Sequence, residues 1–124
     1  MSEPKTILLA DDEEALHKVL GKRLQLWGFQ VLPAMDGQEA VQLAKTQHPD
    51  LILLDVMMPT LNGLDAAHQL KQDPATSRIP IILVTAKARQ LSQEQIQASG
   101  ACAVVQKPYD ADQLLRLIQQ ALGT

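Results

Sequence analysis

The sequence predicts an α/β fold in which five strands alternate with five helices around a doubly wound parallel sheet, a (βα)5 arrangement. Short, continuous apolar runs alternate with amphipathic stretches along the chain, which is the pattern of strands and crossover helices. Strands without a polar face are typical of parallel sheets that helices cover on both sides. The length of 124 residues suits one domain with a core of its own. We therefore expect a single domain over residues 1–124.

The first half of the chain predicts two strands and two helices. The first strand is expected at residues 7–10, and Gly28 ends the helix that follows. The apolar face of this helix is formed by Leu16, Val19, Leu20, Leu24 and Trp27. The second strand is expected at residues 29–32, before Pro33. Asp36 and Glu39 have the spacing of a capping box, which begins a helix that ends before Pro49.

The second half predicts three strands and three helices. The strands are expected at residues 51–54, 81–84 and 103–105. The run at 51–54 is the most apolar, so it belongs at the centre of the sheet. A helix over residues 64–71 precedes Asp73-Pro74. The remaining two helices begin at capping pairs, Ser92 with Gln95 and Asp110 with Gln113.

Composition excludes several classes of function. Aromatic residues make up 2% of the chain, so the core is aliphatic and a stacking platform for single-stranded nucleic acid is not expected. A net charge of −3 argues against direct binding to DNA or to an anionic membrane. The single cysteine, Cys102, excludes an internal disulfide, and we expect it to be a buried, small apolar residue. Without a membrane span or signal peptide, a cytoplasmic location is predicted.

Polar side chains follow four of the five predicted strands. They are Asp11, Asp12, Asp55, Thr85 and Lys107, and the small residue Ala86 follows Thr85. Because ligands of doubly wound sheets bind outside the carboxyl ends of the strands, these residues should converge on one crevice. Neighbouring carboxylates without histidine or cysteine favour Mg²⁺ or Mn²⁺ over zinc. A carboxylate beside a divalent cation can attack phosphorus, and lysine and threonine can then contact the phosphoryl group. The pattern predicts an aspartyl-phosphate site.

With these residues, the chain resembles the receiver domains of two-component response regulators over essentially its whole length. The matching pieces are Asp11-Asp12, Asp55 within residues 53–59, Gly63, Thr85-Ala86 and Lys107-Pro108. The resemblance implies the flavodoxin-like strand order 2-1-3-4-5 and a receiver domain without an output domain. It also implies a phospho-accepting switch that catalyses only its own phosphorylation and dephosphorylation.

The resemblance assigns a role to each site residue. Asp55 is the implied phospho-acceptor, and Mg²⁺ is held by Asp11, Asp12, Asp55 and the backbone carbonyl of Met57. Lys107 contacts the phosphoryl group, and Thr85 with Ala86 moves toward it as the switch. The implied phosphodonor is a sensor histidine kinase or a phosphotransfer protein, and the downstream partner is not identified. The expected assembly is a monomer or a weak dimer.

One departure from the family pattern leaves an alternative open. Family members usually have an aromatic residue three positions before the lysine, where this chain has Val104. A pseudo-receiver that binds proteins without phosphorylation is therefore one alternative. A Mg²⁺-dependent phosphohydrolase of the haloacid-dehalogenase type is another, but it needs a second acid at the position of Met57. A flavodoxin-like nucleotide carrier is disfavoured because the acids after the first strand would repel a phosphate.

Overall fold

The computed structural model describes residues 3–123. Within these residues, five strands and five helices alternate, as predicted. They are β1 (Thr6–Ala10), α1 (Glu14–Leu26), β2 (Gln30–Ala34), α2 (Gly37–Gln47), β3 (Leu51–Leu54), α3 (Gly63–Gln72), β4 (Ile81–Thr85), α4 (Gln93–Ser99), β5 (Ala103–Gln106) and α5 (Ala111–Leu122). A short 3-10 turn, Ala88–Gln90, lies between β4 and α4. Among the described residues, no helix is long and apolar enough to span a membrane.

The five strands form one parallel sheet in the order β2-β1-β3-β4-β5. This confirms the predicted fold class and the flavodoxin-like order 2-1-3-4-5. The register pairs Ala10 at the end of β1 with Leu54 at the end of β3. At the other side of the sheet, Thr85 of β4 pairs with Gln106 of β5. The residues that follow these strands therefore emerge at one edge of the sheet.

The core lies on both faces of the sheet, because successive strand residues point to opposite sides. Leu8 and Ile52 pack with the buried residues of α2 and α3. Ile7 and Leu53 pack with those of α1 and α5 on the other face. Both faces of the central strands are therefore covered, which explains why these strands carry no polar face.

Side-chain caps begin the helices where the sequence places them. Ser92 and Gln95 form a complete capping box at α4, and Asp110 accepts hydrogen bonds from the backbone of Asp112 and Gln113 at α5. At α2 the Asp36 carboxylate accepts a hydrogen bond from the backbone of Glu39. These contacts satisfy backbone N–H groups that have no partner within the helix.

Three details of the predicted elements are wrong. β2 runs through Pro33 instead of stopping before it. It is an edge strand, where a residue without an N–H group is tolerated. Val19 is 61% exposed and does not belong to the buried face of α1. Cys102 is exposed, not buried, because it lies in the turn just before β5 begins.

Candidate functional site

Two aspartates lie side by side at the carboxyl edge of the sheet. Asp11 follows β1 and Asp55 follows β3, and the two strands are paired up to Ala10 and Leu54. The Asp55 N–H donates to the Ala10 carbonyl at 3.0 Å, which extends the ladder by one residue. Asp11 is 2% exposed and Asp55 6%. The parallel register therefore places two buried carboxyl groups next to each other.

Asp12 joins these two residues in a cluster of three acids. Carboxylate oxygens of Asp11, Asp12 and Asp55 all lie within 4.8 Å of one another. Asp12 is exposed, so the cluster opens to solvent on one side. Such a set of oxygen donors, without histidine or cysteine, fits a hard divalent cation such as Mg²⁺.

Lys107 places a positive charge against the acids of the site. Its Nζ lies 2.6 Å from Asp11 Oδ2, 3.1 Å from Asp55 Oδ2 and 3.4 Å from Glu13 Oε1. Burial of the ammonium lowers its pKa, but the hydrogen bonds and the attraction of Asp11 and Asp55 outweigh this effect, so the pKa of Lys107 is raised. Lys107 is therefore firmly protonated and partly balances the acids around it.

Lys107 and Thr85 are joined through the backbone. The Lys107 N–H donates to the Thr85 carbonyl at 3.0 Å, and the Lys107-Pro108 peptide bond is cis. Thr85 is fully buried, and its hydroxyl accepts a hydrogen bond from the backbone N–H of Lys87 at 3.1 Å. Ala86 is exposed and begins the loop between β4 and α4. A hydroxyl and an ammonium group are thus held on neighbouring strands.

The loop after β3 is fixed close to Asp55. A Cβ at Gly63 would lie 2.0 Å from the Asp55 carbonyl oxygen, so only glycine fits there. The Gly63 N–H donates to the Val56 carbonyl at 2.8 Å. Met57 is 58% exposed, and its N–H donates to Asp55 Oδ1 at 3.3 Å. The Asp55 carboxylate and the backbone of Met57 are therefore held together.

These groups surround an open crevice of about 330 Å³. Its lining residues are Asp12, Glu13, Asp55, Met57, Thr85, Ala86, Lys87 and Lys107. Asp11 is held under this crevice by its bond to Lys107. Val104 lies apart from it, half-buried against the core beneath α2 and α3. The structure thus brings together every sequence-predicted site residue except Val104.

Three contacts at the site are not evident from the sequence. Glu13 is the third acid on Lys107, although its place in the acidic run is visible. The ring Nε2 of His17 lies 2.7 Å from the Asp11 carbonyl, so it donates to that oxygen. Gln106 bonds to the Ala86 carbonyl. Sequence patterns do not identify His17 or Gln106 as site residues, because both contacts depend on the reach of the side chain.

A sequence model of the response regulator receiver domain matches residues 7–119. Among curated proteins, the chain is similar to Protein PilH of Pseudomonas aeruginosa, with 39% identity over 117 residues, which are 94% of this chain and 97% of that protein. It is also similar to the polar-differentiation response regulator DivK of Brucella ovis, with 33% identity over 96% of this chain and 97% of DivK.

Solved structures show the same likeness. The receiver domain of sensor histidine kinase PA1611 from Pseudomonas aeruginosa superposes with a TM-score of 0.90 and 31% identity, covering 98% of this chain and 99% of that one. That domain holds a magnesium ion coordinated in its active site cleft.

Proposed function

The chain belongs to the response regulator receiver domain family of two-component signalling, and from this membership we propose that it is switched by transfer of a phosphoryl group to Asp55. The observation that carries the proposal is the position of the Asp55 carboxylate. It lies at the end of a central strand, in an acidic cluster, with the Lys107 ammonium 3.1 Å away. Receiver domains act as signalling switches. We therefore infer that the phosphodonor is the only substrate of this chain.

Asp55 is suited to act as the nucleophile. One carboxylate oxygen attacks phosphorus, forming an O–P bond, while the bond from phosphorus to the donor breaks and the donor keeps the electron pair. The donor bond is P–N in a phosphohistidine and P–O in acetyl phosphate. Lys107 can then pair with the phosphoryl oxygens, and the Thr85 hydroxyl can donate to them once it is drawn into the crevice.

The residues present also fit a divalent cation. Asp11, Asp12 and Asp55 would hold it with the backbone carbonyl of Met57, and the acids in and under the crevice outnumber its two lysines, Lys87 and Lys107. When bound, Mg²⁺ or Mn²⁺ reduces the repulsion between the carboxylate nucleophile and the phosphoryl oxygens. The magnesium ion in the cleft of the PA1611 receiver supports this assignment.

The phosphoryl group changes the charge of the site and so shifts the equilibrium between two conformations of the domain. It adds roughly −1.5 to −2 charge to the site at neutral pH. That charge favours a state in which Thr85 and Ala86 are drawn toward Asp55. To convert a mostly inactive population into a mostly active one, it must favour that state by up to about 5.5 kcal/mol. The loop after β4 is the part of the surface that a partner would then recognise.

We expect the phosphodonor to be a sensor histidine kinase or a phosphotransfer protein in the cytoplasm. The similarity to a receiver domain of a sensor histidine kinase supports this type of donor. The crevice is open and rimmed by Ala86 and Met57, so a protein-bound phosphohistidine can reach Asp55. We expect the chain to act as a monomer or a weak dimer that binds proteins and neither nucleic acid nor membrane.

The proposal is tested by the intact mass of the protein after incubation with acetyl phosphate and Mg²⁺. The wild-type protein should gain a single phosphoryl adduct that is lost when EDTA replaces Mg²⁺. Asp55→Asn should gain none, because the amide cannot act as the nucleophile. Asp65→Asn is the matched control, since Asp65 is an exposed aspartate at the start of α3; this variant should label as the wild type does.

Two results would contradict the proposal. Equal labelling of Asp55→Asn would place the acceptor elsewhere. The absence of any adduct under all conditions would leave the protein-binding pseudo-receiver as the better interpretation.

A further inference from the structure

Gln106, the last residue of β5, connects two parts of the site through its side-chain amide. Its Nε2 donates to the Ala86 carbonyl at 2.9 Å and to the Lys107 carbonyl at 2.9 Å. Both partners are carbonyl oxygens, which can only accept, so the orientation of the amide is fixed by its partners. The amide therefore bridges the loop after β4 and the backbone of the lysine that pairs with Asp55.

The oxygen of the same amide lacks a hydrogen bond within the described part of the chain. Gln106 Oε1 is buried and has no hydrogen-bond partner among residues 3–123. A buried acceptor without a partner disfavours the state that contains it. The bridge to Ala86 thus holds the loop in place, while the orphaned oxygen makes this arrangement less stable than a fully bonded one.

We propose that Gln106 is a positioning residue that holds the β4–α4 loop in its unphosphorylated position and releases it when the loop moves. This inference rests on the proposed function, because it assigns to phosphorylation the movement of Thr85 and Ala86. Ala86 directly follows Thr85, so drawing Thr85 toward Asp55 pulls the Ala86 carbonyl from Nε2. The freed amide can then turn and expose Oε1 to a donor, which offsets part of the lost hydrogen bond.

The position of Gln106 in the sheet supports this role. Gln106 is the register partner of Thr85, and the Lys107 N–H donates to the Thr85 carbonyl. The strand backbone is therefore held by the ladder itself. The side-chain bond to Ala86 acts one residue further on, where the ladder has ended and the chain is exposed. The Gln106 side chain thus fixes the position of the loop, whereas the backbone ladder fixes that of the strand.

The test compares the wild type with Gln106→Leu and Gln106→Asn. Leucine removes the amide, whereas asparagine keeps an amide but shortens its reach by one methylene group. The first readout is hydrogen exchange of the Lys87 amide, which donates to the Thr85 hydroxyl at 3.1 Å. Its protection should fall about three- to tenfold in both variants, the effect of losing one ordinary hydrogen bond. Gln69→Leu, at an exposed glutamine of α3, should leave it unchanged.

The second readout is the rate of labelling by acetyl phosphate with Mg²⁺. If the loop must move before Asp55 reacts, labelling should rise by about the same three- to tenfold factor. Thermal unfolding of the variants checks that the fold is intact, and an effect confined to global stability would make Gln106 merely structural. Unchanged Lys87 exchange in both variants would overturn the proposal.

The two proposals fail in different ways. Lys87 exchange is measured on the unmodified protein, so it reports on the Gln106 bridge even if no phosphoryl group is ever transferred. A wild type that is never labelled overturns the proposed function. A wild type that is labelled, with variants that exchange and label as it does, overturns the role of Gln106 alone.

Discussion

Replacing Lys107 with methionine should destabilise the protein and at the same time strengthen its binding of Mg²⁺. Methionine keeps an unbranched side chain of similar length but removes the ammonium group, with its charge and its hydrogen bonds to Asp11 and Asp55. In the wild type the ammonium lies 2.6 Å from Asp11 Oδ2 and 3.1 Å from Asp55 Oδ2. Without it, two buried carboxylates and Asp12 repel one another with no positive charge between them.

The expected loss in the free energy of unfolding can be estimated from these distances. At an effective dielectric constant of about 20, each pair has a gross attraction of about 5–6 kcal/mol. Desolvation of the three groups offsets most of this, and removing one partner of a buried pair typically costs about 3–5 kcal/mol. Because the site opens to solvent through Asp12, we expect a somewhat smaller loss than that range, about 2–4 kcal/mol in the free energy of unfolding.

The change in metal binding has the opposite sign. Lys107 bonds two of the acids that would hold the cation. As an order of magnitude, a unit positive charge and a divalent cation repel each other by about 2 kcal/mol at a separation of about 4 Å, even at the dielectric constant of water. Removing it should therefore tighten Mg²⁺ binding about tenfold or more. Bound Mg²⁺ stabilises the folded state by mass action, so the stability lost in EDTA should be largely recovered at saturating Mg²⁺.

Urea unfolding in EDTA and in Mg²⁺, with calorimetric titration of Mg²⁺, measures both effects. Lys45→Met is the control, because Lys45 pairs with Asp73 at 3.7 Å on the surface and 47% of its side chain is exposed. That variant should lose less than about 1 kcal/mol. Equal stability of Lys107→Met and wild type in EDTA, or weaker Mg²⁺ binding by the variant, would refute this reasoning.

Three further predictions address other parts of the molecule. Asp12→Asn should weaken Mg²⁺ binding about tenfold or more in calorimetry, since it removes a charge from the cluster; Asp65→Asn should not. Gly63→Ala should lower the urea midpoint by an amount equivalent to about 1–3 kcal/mol, because its Cβ meets the Asp55 carbonyl at 2.0 Å. Burial lowers the pKa of Lys71, so the unfolded chain binds more protons there and stability should rise as pH climbs toward 10.5. Lys71→Met should lose this rise in urea titrations, and an unchanged pH profile would count against the assignment.

The pH dependence of Lys107 has the reverse sign to that of Lys71. Its pKa is raised in the folded state, so its stabilising contribution is fully present below 10.5 and is lost as pH rises through the folded pKa. The two lysines differ because the Lys107 ammonium faces carboxylates. The Lys71 ammonium instead donates to the carbonyl oxygens of Ser77 and Ile79.

The strands and the edge that carries the site could be predicted because each depends on local sequence. Apolar runs of four or five residues mark the parallel strands, and the next residue then has to emerge at their carboxyl ends. The pairing of the side chains could not be predicted in this way. Lys107 reaches Asp11 from 96 residues away, and that contact depends on strand order and register.

The error at Val19 has a specific physical cause. The buried residues of α1 are Leu20, Gly21 and Leu24, and glycine carries no apolar side chain for a periodicity pattern to register. Successive helical residues are about 100° apart, so Val19 lies about 200° from Gly21. On this face Leu24 lies between Leu20 and Gly21. Val19 lies about 140° from Leu24, so it falls on the solvent side although it continues the leucine pattern.

Two contacts at the end of β5 are affected when the charge at Asp55 changes: the ion pair of Lys107 and the hydrogen bonds of the Gln106 amide. The Lys107 ammonium is shared between Asp11 and Asp55, so added negative charge at Asp55 draws it away from Asp11. The Lys107 carbonyl is at the same time bonded to the Gln106 amide, which also binds the Ala86 carbonyl. A shift of this backbone therefore alters the Gln106 bridge as well as the ion pair. Neighbouring groups that share partners are energetically coupled. A change of charge at Asp55 can therefore alter the position of the β4–α4 loop through β5 as well as directly through Thr85.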